Sequence, residues 1–220
     1  MNKRIAFVTG ASSDIGRSIV RHLTETGWRV ICPSHTELDL ADLDAVAVYA
    51  ENLKNNTDKV GVFVHVAGIW HDSDQVLADK PFATFKASQI SEAMNVGVIS
   101  AMILTCALLQ NEQFSSVIGI SGTFNSGAKG WLPYYASKRA LEDFLLGLSQ
   151  DQDALKVYGI SPADTATKAY GKFYPEYMSE AQSPDSIAEL ALRLLEGDEK
   201  YVSGTIIEVR DGKPSEGFHS

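Results

Sequence analysis

Apolar residues recur along this chain in two rhythms that take turns. Short, β-branched runs lie at Arg4 to Val8, Arg29 to Cys32, Val60 to Val66, Val117 to Ile120, Leu155 to Ile160 and Tyr201 to Val209. Between them, apolar positions follow helical spacing. Ile15, Ile19, Val20 and Leu23 do so ahead of Gly27, as do the segments LDAVAVYAENLKNN after Asp42 and SEAMNVGVISAMILTCALL from Ser91 to Leu109. So do YYASKRALEDFLLGL from Tyr134 and PDSIAELALRLLEG after Ser183. Runs as uninterrupted as VGVFVHV suit strands covered on both faces. Strands alternating with helices predict an α/β fold, a doubly wound parallel sheet with its ligand at the carboxyl ends of the strands.

Composition narrows this further. The 220 residues are enough for a single domain with a sizeable core. A net charge of -9 without a basic cluster argues against nucleic acid and against an anionic membrane surface. Cys32 and Cys106 form no CxxC pair, and the five histidines (22, 35, 65, 71 and 219) have no metal-ligand spacing, so no metal is expected. The N-terminal run IAFV is too short for a signal peptide, and Val98 to Leu109 is too short to span a bilayer. A cytoplasmic protein with no membrane partner is the expectation.

Two stretches carry candidate chemistry. The first is Val117 to Lys138, where an apolar strand breaks at Ser121-Gly122 and a loop leads into a helix opening Tyr134-Tyr135-Ala136-Ser137-Lys138. Residues four apart share a helix face, so Tyr134 and Lys138 point the same way. A phenol beside an ammonium, with a serine hydroxyl opposite, suits proton transfer at a carbonyl or alcohol. Taken alone, the pair also fits an ordinary helix with a half-buried tyrosine and a snorkelling lysine. The second stretch is Thr9 to Gly16, TGASSDIG, between a strand and a helix. That arrangement aims backbone N–H groups and a helix N-terminus at a phosphate, though a simple βα turn looks similar.

Together, Thr9 to Gly16, Ser121 and Tyr134-xxx-Lys138 resemble the glycine turn and catalytic residues of the short-chain dehydrogenase/reductase family. The resemblance runs from Ile5 to about Gly212 and implies a Rossmann-like single domain. Only His35 to Leu38 separate the second strand from Asp39-Leu40-Ala41-Asp42, so the second crossover helix and the third strand are expected to be shortened. Asp14 stands where the family has a middle glycine, and it is expected to turn from the phosphates and cap the following helix. The resemblance implies cofactor contacts from Gly10, Ser12, Ser13 and Ile15. It adds Ser34 and His35 at the ribose corner, Asp39 and Leu40 at the adenine, and Ala67, Gly68 and Thr167 near the nicotinamide. Tyr134 and Lys138 also touch the cofactor, and the catalytic set is Asn95, Ser121, Tyr134 and Lys138.

Ser34 aligns with the acid that selects NAD in relatives, so no carboxylate at that position bars a 2′-phosphate. Ser13, however, replaces a basic residue that often supports NADP. The balance favours NADP(H) over NAD(H), with His35 either a partial positive charge or an exposed loop residue. Asp39 meets the adenine or caps a helix, with Asp42 available for the other role. His65-Val66-Ala67-Gly68 replaces the family's Asn-Asn-Ala-Gly, and His65 reads as a structural histidine. Asn95 aligns with the family's helix asparagine, associated with a kink and a water link to the lysine. Residues 168–182, rich in Tyr, Phe and Gly, read as a substrate lid. Trp70, His71, Phe124, Trp131 and Tyr170 suggest an aromatic pocket or core aromatics.

The activity implied is NAD(P)(H)-dependent interconversion of a carbonyl and a secondary alcohol on a small molecule. A homodimer or homotetramer through the Ser91 and Tyr134 helices goes with it. The alternatives are an epimerase or dehydratase on the same fold, and a non-catalytic dinucleotide-binding sensor or scaffold.

Overall fold

The computed structural model describes residues 4–55, 58–72, 75–77, 80–122, 129–198 and 200–217. Six parallel strands form the sheet: β1 (Ile5–Thr9), β2 (Arg29–Ile31), β3 (Val62–His65), β4 (Ser116–Ile120), β5 (Lys156–Pro162) and β6 (Ile206–Arg210). A seventh, β7 (Lys213–Glu216), pairs antiparallel with β6, and the order is β2-β1-β3-β4-β5-β6-β7. From β1 the chain steps outward to β2 and then returns to β3 on the other side of β1. That reversal opens a crevice at the carboxyl ends of β1 and β3, the place where such sheets bind ligands.

Alternate residues of each strand feed two cores. Ala6, Val8, Val62, Val64, Ile118 and Ile160 pack under α1 (Asp14–Glu25) and α7 (Pro184–Leu195), meeting Ile19, Leu23, Ile187 and Leu190. Ile5, Phe7, Phe63, Val117 and Val157 face α2 (Leu43–Asn55), α4 (Ser100–Leu108) and α5 (Tyr134–Asp151). The Phe7 and Phe63 rings stack at 5.2 Å, and each fully buried ring contributes about 1.5–3 kcal/mol from its burial. This two-sided burial is why the strands read as nearly unbroken apolar runs.

The helix expected from Ser91 to Leu109 is α3 (Ala87–Met94), a π turn at Asn95–Ile99, and α4 in sequence. Over its full 22 residues, Ala87–Leu108, it is long and apolar enough to cross a membrane by length and composition, which the shorter stretch Val98 to Leu109 concealed. Its buried residues Val98, Ala101, Leu104 and Leu108 belong to the second core.

The expected shortening of the second crossover is complete. Between Ile31 and Leu43 there is neither helix nor strand, so β2 is the edge of the sheet. The chain beyond β6 adds one more strand. Asp211 and Gly212 take φ of 50° and 71°, a two-residue reverse turn that folds β7 back onto β6. An Asp-Gly pair is a hairpin signal, and it was legible in the sequence.

Candidate active site

The glycine turn follows β1 directly. Gly10 has φ of 72°, and a Cβ there would lie 2.6 Å from the Ala67 nitrogen; one on Gly16 would lie 2.2 Å from the Gly10 carbonyl oxygen. Close packing of the turn on Ala67 and on itself excludes side chains at both points and sets Ser12, Ser13 and Ile15, at the start of α1, on the edge of the crevice. The cap of α1 is Ser13, whose Oγ accepts the Gly16 N–H at 3.0 Å and donates to the Gly10 carbonyl at 2.8 Å.

Asp14, expected to be that cap, is instead the first residue of the helix. It does turn aside: it pairs with Arg17, and its Oδ2 accepts the Lys168 N–H at 2.6 Å. Burial works to raise the Asp14 pKa, but the Lys168 N–H and the Arg17 guanidinium outweigh it and hold the carboxyl below its usual range. A residue 154 positions away is thereby tied to the glycine turn, which no local pattern announces.

At the end of β2, Ser34 lies at the rim of the same cavity, as do His35, Asp39 and Leu40. The corner carries a carboxylate after all. Glu37 folds back so that its Oε2 accepts both the Ser34 N–H and the Ser34 hydroxyl, each at 2.8 Å, and these bonds keep it ionised below its usual pKa. Sequence alignment by position looks only at residue 34 and misses a side chain reaching back three residues. His35 is largely exposed, with Nε2 3.5 Å from Asp39 Oδ1. Asp42 caps α2 by accepting the Asp44 and Ala45 N–H groups, which leaves Asp39 free of capping.

The other end of the crevice holds the candidate chemistry. Tyr134 opens α5, and Lys138 lies one turn later, buried at 2% exposure. Lys138 Nζ donates to the Ile120 carbonyl at 2.7 Å and the Ala67 carbonyl at 3.1 Å, and stands 5.6 Å from the Tyr134 ring centre. A Cβ on Gly68 would come within 2.8 Å of Lys138 Cε and Nζ and 3.3 Å of Tyr134 Cε2, so Gly68 makes room for both side chains. Burial pushes Lys138 down to about 8, the nearby Glu142 charge opposing it, and burial pushes the Tyr134 phenol well above its ordinary value. At the phenol, desolvation dominates.

Ser121 follows β4 and lines the cavity, but its hydroxyl donates to Glu142 Oε1 at 2.6 Å. Asn95 begins the π turn. Its amide donates to the Ala41 carbonyl at 2.9 Å, linking this helix to the Asp39–Asp42 loop. His65 is buried, with Nδ1 2.8 Å from Thr9 Oγ1. Burial first, then the Lys138 charge, lowers its pKa to about 3, so the ring is neutral and structural. Thr167 caps α6 (Lys168–Phe173), its Oγ1 accepting the Tyr170 N–H at 3.0 Å.

Gly10, Ser12, Ser13, Ile15, Ser34, His35, Asp39, Leu40, Ala67, Gly68, Ser121, Tyr134, Lys138 and Thr167 all border one cavity of about 1000 Å³. Above Tyr134 its mouth is aromatic. Trp70 meets His71 at 4.6 Å, Phe173 at 5.9 Å, Trp131 at 6.2 Å and Tyr174 at 6.5 Å, while Trp131 meets Tyr134 at 6.3 Å. All are half-buried; Trp70, His71, Trp131 and Tyr134 line the cavity, while Phe173 and Tyr174 pack against Trp70. Phe124 lies outside the described residues. Among the described residues no cluster of His, Cys, Asp and Glu could hold a metal ion.

Known proteins agree with this arrangement. The short chain dehydrogenase family profile matches residues 33–177, about two thirds of the chain. The oxidoreductase YciK of Escherichia coli K12 is 26% identical, over 97% of this chain and 94% of its own length. The 3-oxoacyl-(acyl-carrier-protein) reductase FabG of Haemophilus influenzae is 24% identical, over 96% and 98%. Among solved structures, the 3-ketoacyl-(acyl-carrier-protein) reductase of Brucella melitensis complexed with NADH superposes with a TM-score of 0.81 at 17% identity, covering 95% of this chain and 97% of that one. A blue fluorescent protein from a metagenomic library in complex with NADPH gives 0.80 at 24%, covering 96% and 98%. Profile, relatives and sheet order converge on one conclusion: the chain belongs to the short-chain dehydrogenases, a family of oxidoreductases.

Proposed function

We propose that this protein interconverts a carbonyl and a secondary alcohol on a small molecule with NAD(P)(H), Tyr134 carrying the proton. The observation that carries this is convergence: the glycine turn, Ala67-Gly68, Ser121, Tyr134 and Lys138 border a single cavity at the strand ends. The cradle fits a dinucleotide. Gly10 packs closely on Ala67, and beside it Ser12, Ser13 and Ile15 at the start of α1 border the cavity where a pyrophosphate would approach. Ser34, His35, Asp39 and Leu40 would border the adenosine, and Ala67, Gly68 and Thr167 the nicotinamide half. When bound, the cofactor supplies or accepts the hydride.

This chain's own residues supply position and a proton. Tyr134, held protonated by burial, is a donor to the oxygen of a bound carbonyl and so a general acid for reduction. In the reverse direction its phenolate needs positive charge close by, which the Lys138 ammonium provides. Two of the three Lys138 donors are held by Ile120 and Ala67; the third remains for a ribose hydroxyl or the phenol. Asn95 acts at one remove, fixing the π turn against the Asp39–Asp42 loop. The half-buried aromatic rim favours a substrate with an apolar face, and residues 168–182 serve as its lid.

The sequence balance favoured NADP(H). The Glu37 carboxylate on Ser34 weighs towards NAD(H), because a 2′-phosphate would approach an anion with Arg17 already paired to Asp14. Cytoplasmic residence and a homodimer or homotetramer through α4 and α5 belong to the same proposal. Met102, apolar and 44% exposed on α4, suits such a contact.

The experiment is nicotinamide absorbance across ketones, alcohols and a 3-oxoacyl thioester, with wild type and Tyr134→Phe. We expect Tyr134→Phe to lose turnover by about 10²–10⁴-fold while its cofactor affinity barely changes. Turnover near the wild-type rate would remove Tyr134 from its role. Cofactor binding with no substrate consumed by the wild type would favour a sensor, and conversion without net absorbance change an epimerase.

A further inference from the structure

Asp14 stands where the family usually has a glycine, and the reaction as proposed gives its side chain no part. Its carboxylate joins two distant segments: Oδ1 pairs with Arg17 on its own helix, and Oδ2 accepts the Lys168 N–H at 2.6 Å. Lys168 is the first residue of α6 and of the proposed lid. A hydrogen bond to an ionised acceptor is roughly twice as strong as one between neutral groups. A glycine has no side chain to make this bond, so it belongs to this chain's own residue at that place.

The lid has a fixed base. The Ala166 N–H donates to the Gln182 carbonyl at 2.8 Å and the Gln182 N–H to the Asp164 carbonyl at 3.0 Å, so both ends of residues 168–182 meet in one neck. The buried Gln182 side chain anchors that neck to the β6–β7 hairpin, donating to the Val209 carbonyl at 2.8 Å and accepting the Gly212 N–H at 3.0 Å. Beyond the neck, α6 meets the body of the protein at both of its ends. Asp14 holds its first residue, while Trp70 packs on Phe173 and Tyr174 at the far end, at 5.9 Å and 6.5 Å. The Asp14 bond also lies on a boundary. Ala11, Asp14, Arg17, Cys32, Thr167 and Lys168 border both the main cavity and a second one of about 750 Å³.

We infer that Asp14 is a positioning residue that clasps the lid to the glycine turn, so that a bound nicotinamide dinucleotide leaves only as the clasp opens. With the bond made, α6 closes the strip between the two cavities. With it broken, the phosphate end of the main cavity opens into the second. The Arg17 guanidinium offsets the Asp14 charge, which limits its repulsion of a pyrophosphate. The inference rests on the oxidoreductase function and the lid proposed above, and adds to them what controls release.

Two variants test it. Asp14→Gly installs the residue usual in the family, so the turn should fold, and it removes the clasp. Asp14→Asn keeps an oxygen able to accept the Lys168 N–H. Without cofactor, the amides of Gly171 and Tyr174, which lie past the clasp, should exchange with solvent on the order of tenfold faster in Asp14→Gly, the worth of one hydrogen bond to a charged group. Stopped-flow displacement of bound NADH and NADPH should show release faster by a similar factor, with association little changed. Asp14→Asn should stay within about threefold of the wild type in both measurements, since a neutral acceptor retains roughly half the strength of the bond. An Asp14 that only supports the fold would speed exchange in α1 as much as in α6 and would not be rescued by asparagine, and that result overturns the inference. So does an unchanged release rate in Asp14→Gly, or a slower one, which would mean that Asp14 repels the pyrophosphate. In each of these cases the oxidoreductase function stands. A wild type that binds neither dinucleotide sinks that function and the inference together.

Discussion

The two ends of the cavity are built by different means. At the Tyr134 end the decisive groups are buried and bonded over long sequence distances: Lys138 to Ile120 and Ala67, Ser121 to Glu142, His65 to Thr9. At the Ser34 end the groups are exposed and bonded within a few residues: Glu37 to Ser34, His35 to Asp39, Asp39 to the Ala41 N–H. The buried end is over-determined, since its side chains are fixed by partners from several elements at once. The exposed end hangs on a turn between an edge strand and α2, so its residues can change with little cost to the fold. Substitutions at the first end should therefore be large and coupled, and at the second small and selective.

Gly68→Ala gives the largest expected effect. The new Cβ would sit 2.8 Å from Lys138 Cε and Nζ and 3.3 Å from Tyr134 Cε2. Its neighbours are side-chain atoms, so the fold can absorb the methyl group by shifting Lys138 and Tyr134. Misplacement by an ångström or less at a reacting centre costs on the order of 100-fold in rate. We expect that loss in kcat, with the melting temperature changed far less than a core overpacking of comparable size would change it. A variant with wild-type kcat would mean that the buried end has slack.

The buried end should also reveal itself in acid. His65 takes up a proton near pH 6.5 in the unfolded chain but only near 3 in the fold. Between those values the unfolded chain binds more protons, so stability falls as the pH drops through 6.5 and continues to fall towards 3. At pH 5 the loss assigned to this ring is about 2 kcal/mol. His65→Asn removes the titration, so denaturant unfolding at pH 7 and pH 5 should give a smaller pH difference for the variant by about that amount. Parallel pH dependences in the two proteins would show that His65 takes up its proton in the fold as readily as in the unfolded chain, and the ring would then be available for other roles.

The same contrast explains what the sequence could disclose. Alternating apolar runs located every parallel strand, because burial on both faces leaves a pattern in one dimension. The glycine turn and the Tyr134-Lys138 pair were legible for a similar reason: their geometry is set by neighbours within one helical turn. What stayed hidden was pairing. Ser121 with Glu142, and Asp14 with Lys168, join segments whose approach only the folded sheet decides. Asp14 in particular was expected to cap α1, a local role, and took a long-range one while Ser13 supplied the cap. The Glu37 turn is local and still escaped notice, because alignment to a family position asks which residue stands there and not which side chain arrives. The Asp211-Gly212 hairpin, by contrast, carries a local signal, since both of its turn residues take positive φ.

The smallest effect is the most selective and belongs to the exposed end. Glu37→Gln keeps an oxygen able to accept from Ser34 but removes the charge a 2′-phosphate would face. Because Glu37 is fully exposed, solvent screens that repulsion, and the gain in NADPH affinity should be modest, roughly fivefold. NADH affinity should hold within a factor of two, because a ribose hydroxyl carries no charge to repel. Fluorescence titration of both cofactors reads this directly, and raising the salt should shrink the NADPH gain while leaving NADH unchanged. Equal gains for the two cofactors would point to a turn that had loosened and not to a charge removed. An unchanged NADPH affinity would mean that the Ser34 corner lies outside the reach of the 2′-phosphate, and discrimination would then have to come from Arg17 and the glycine turn.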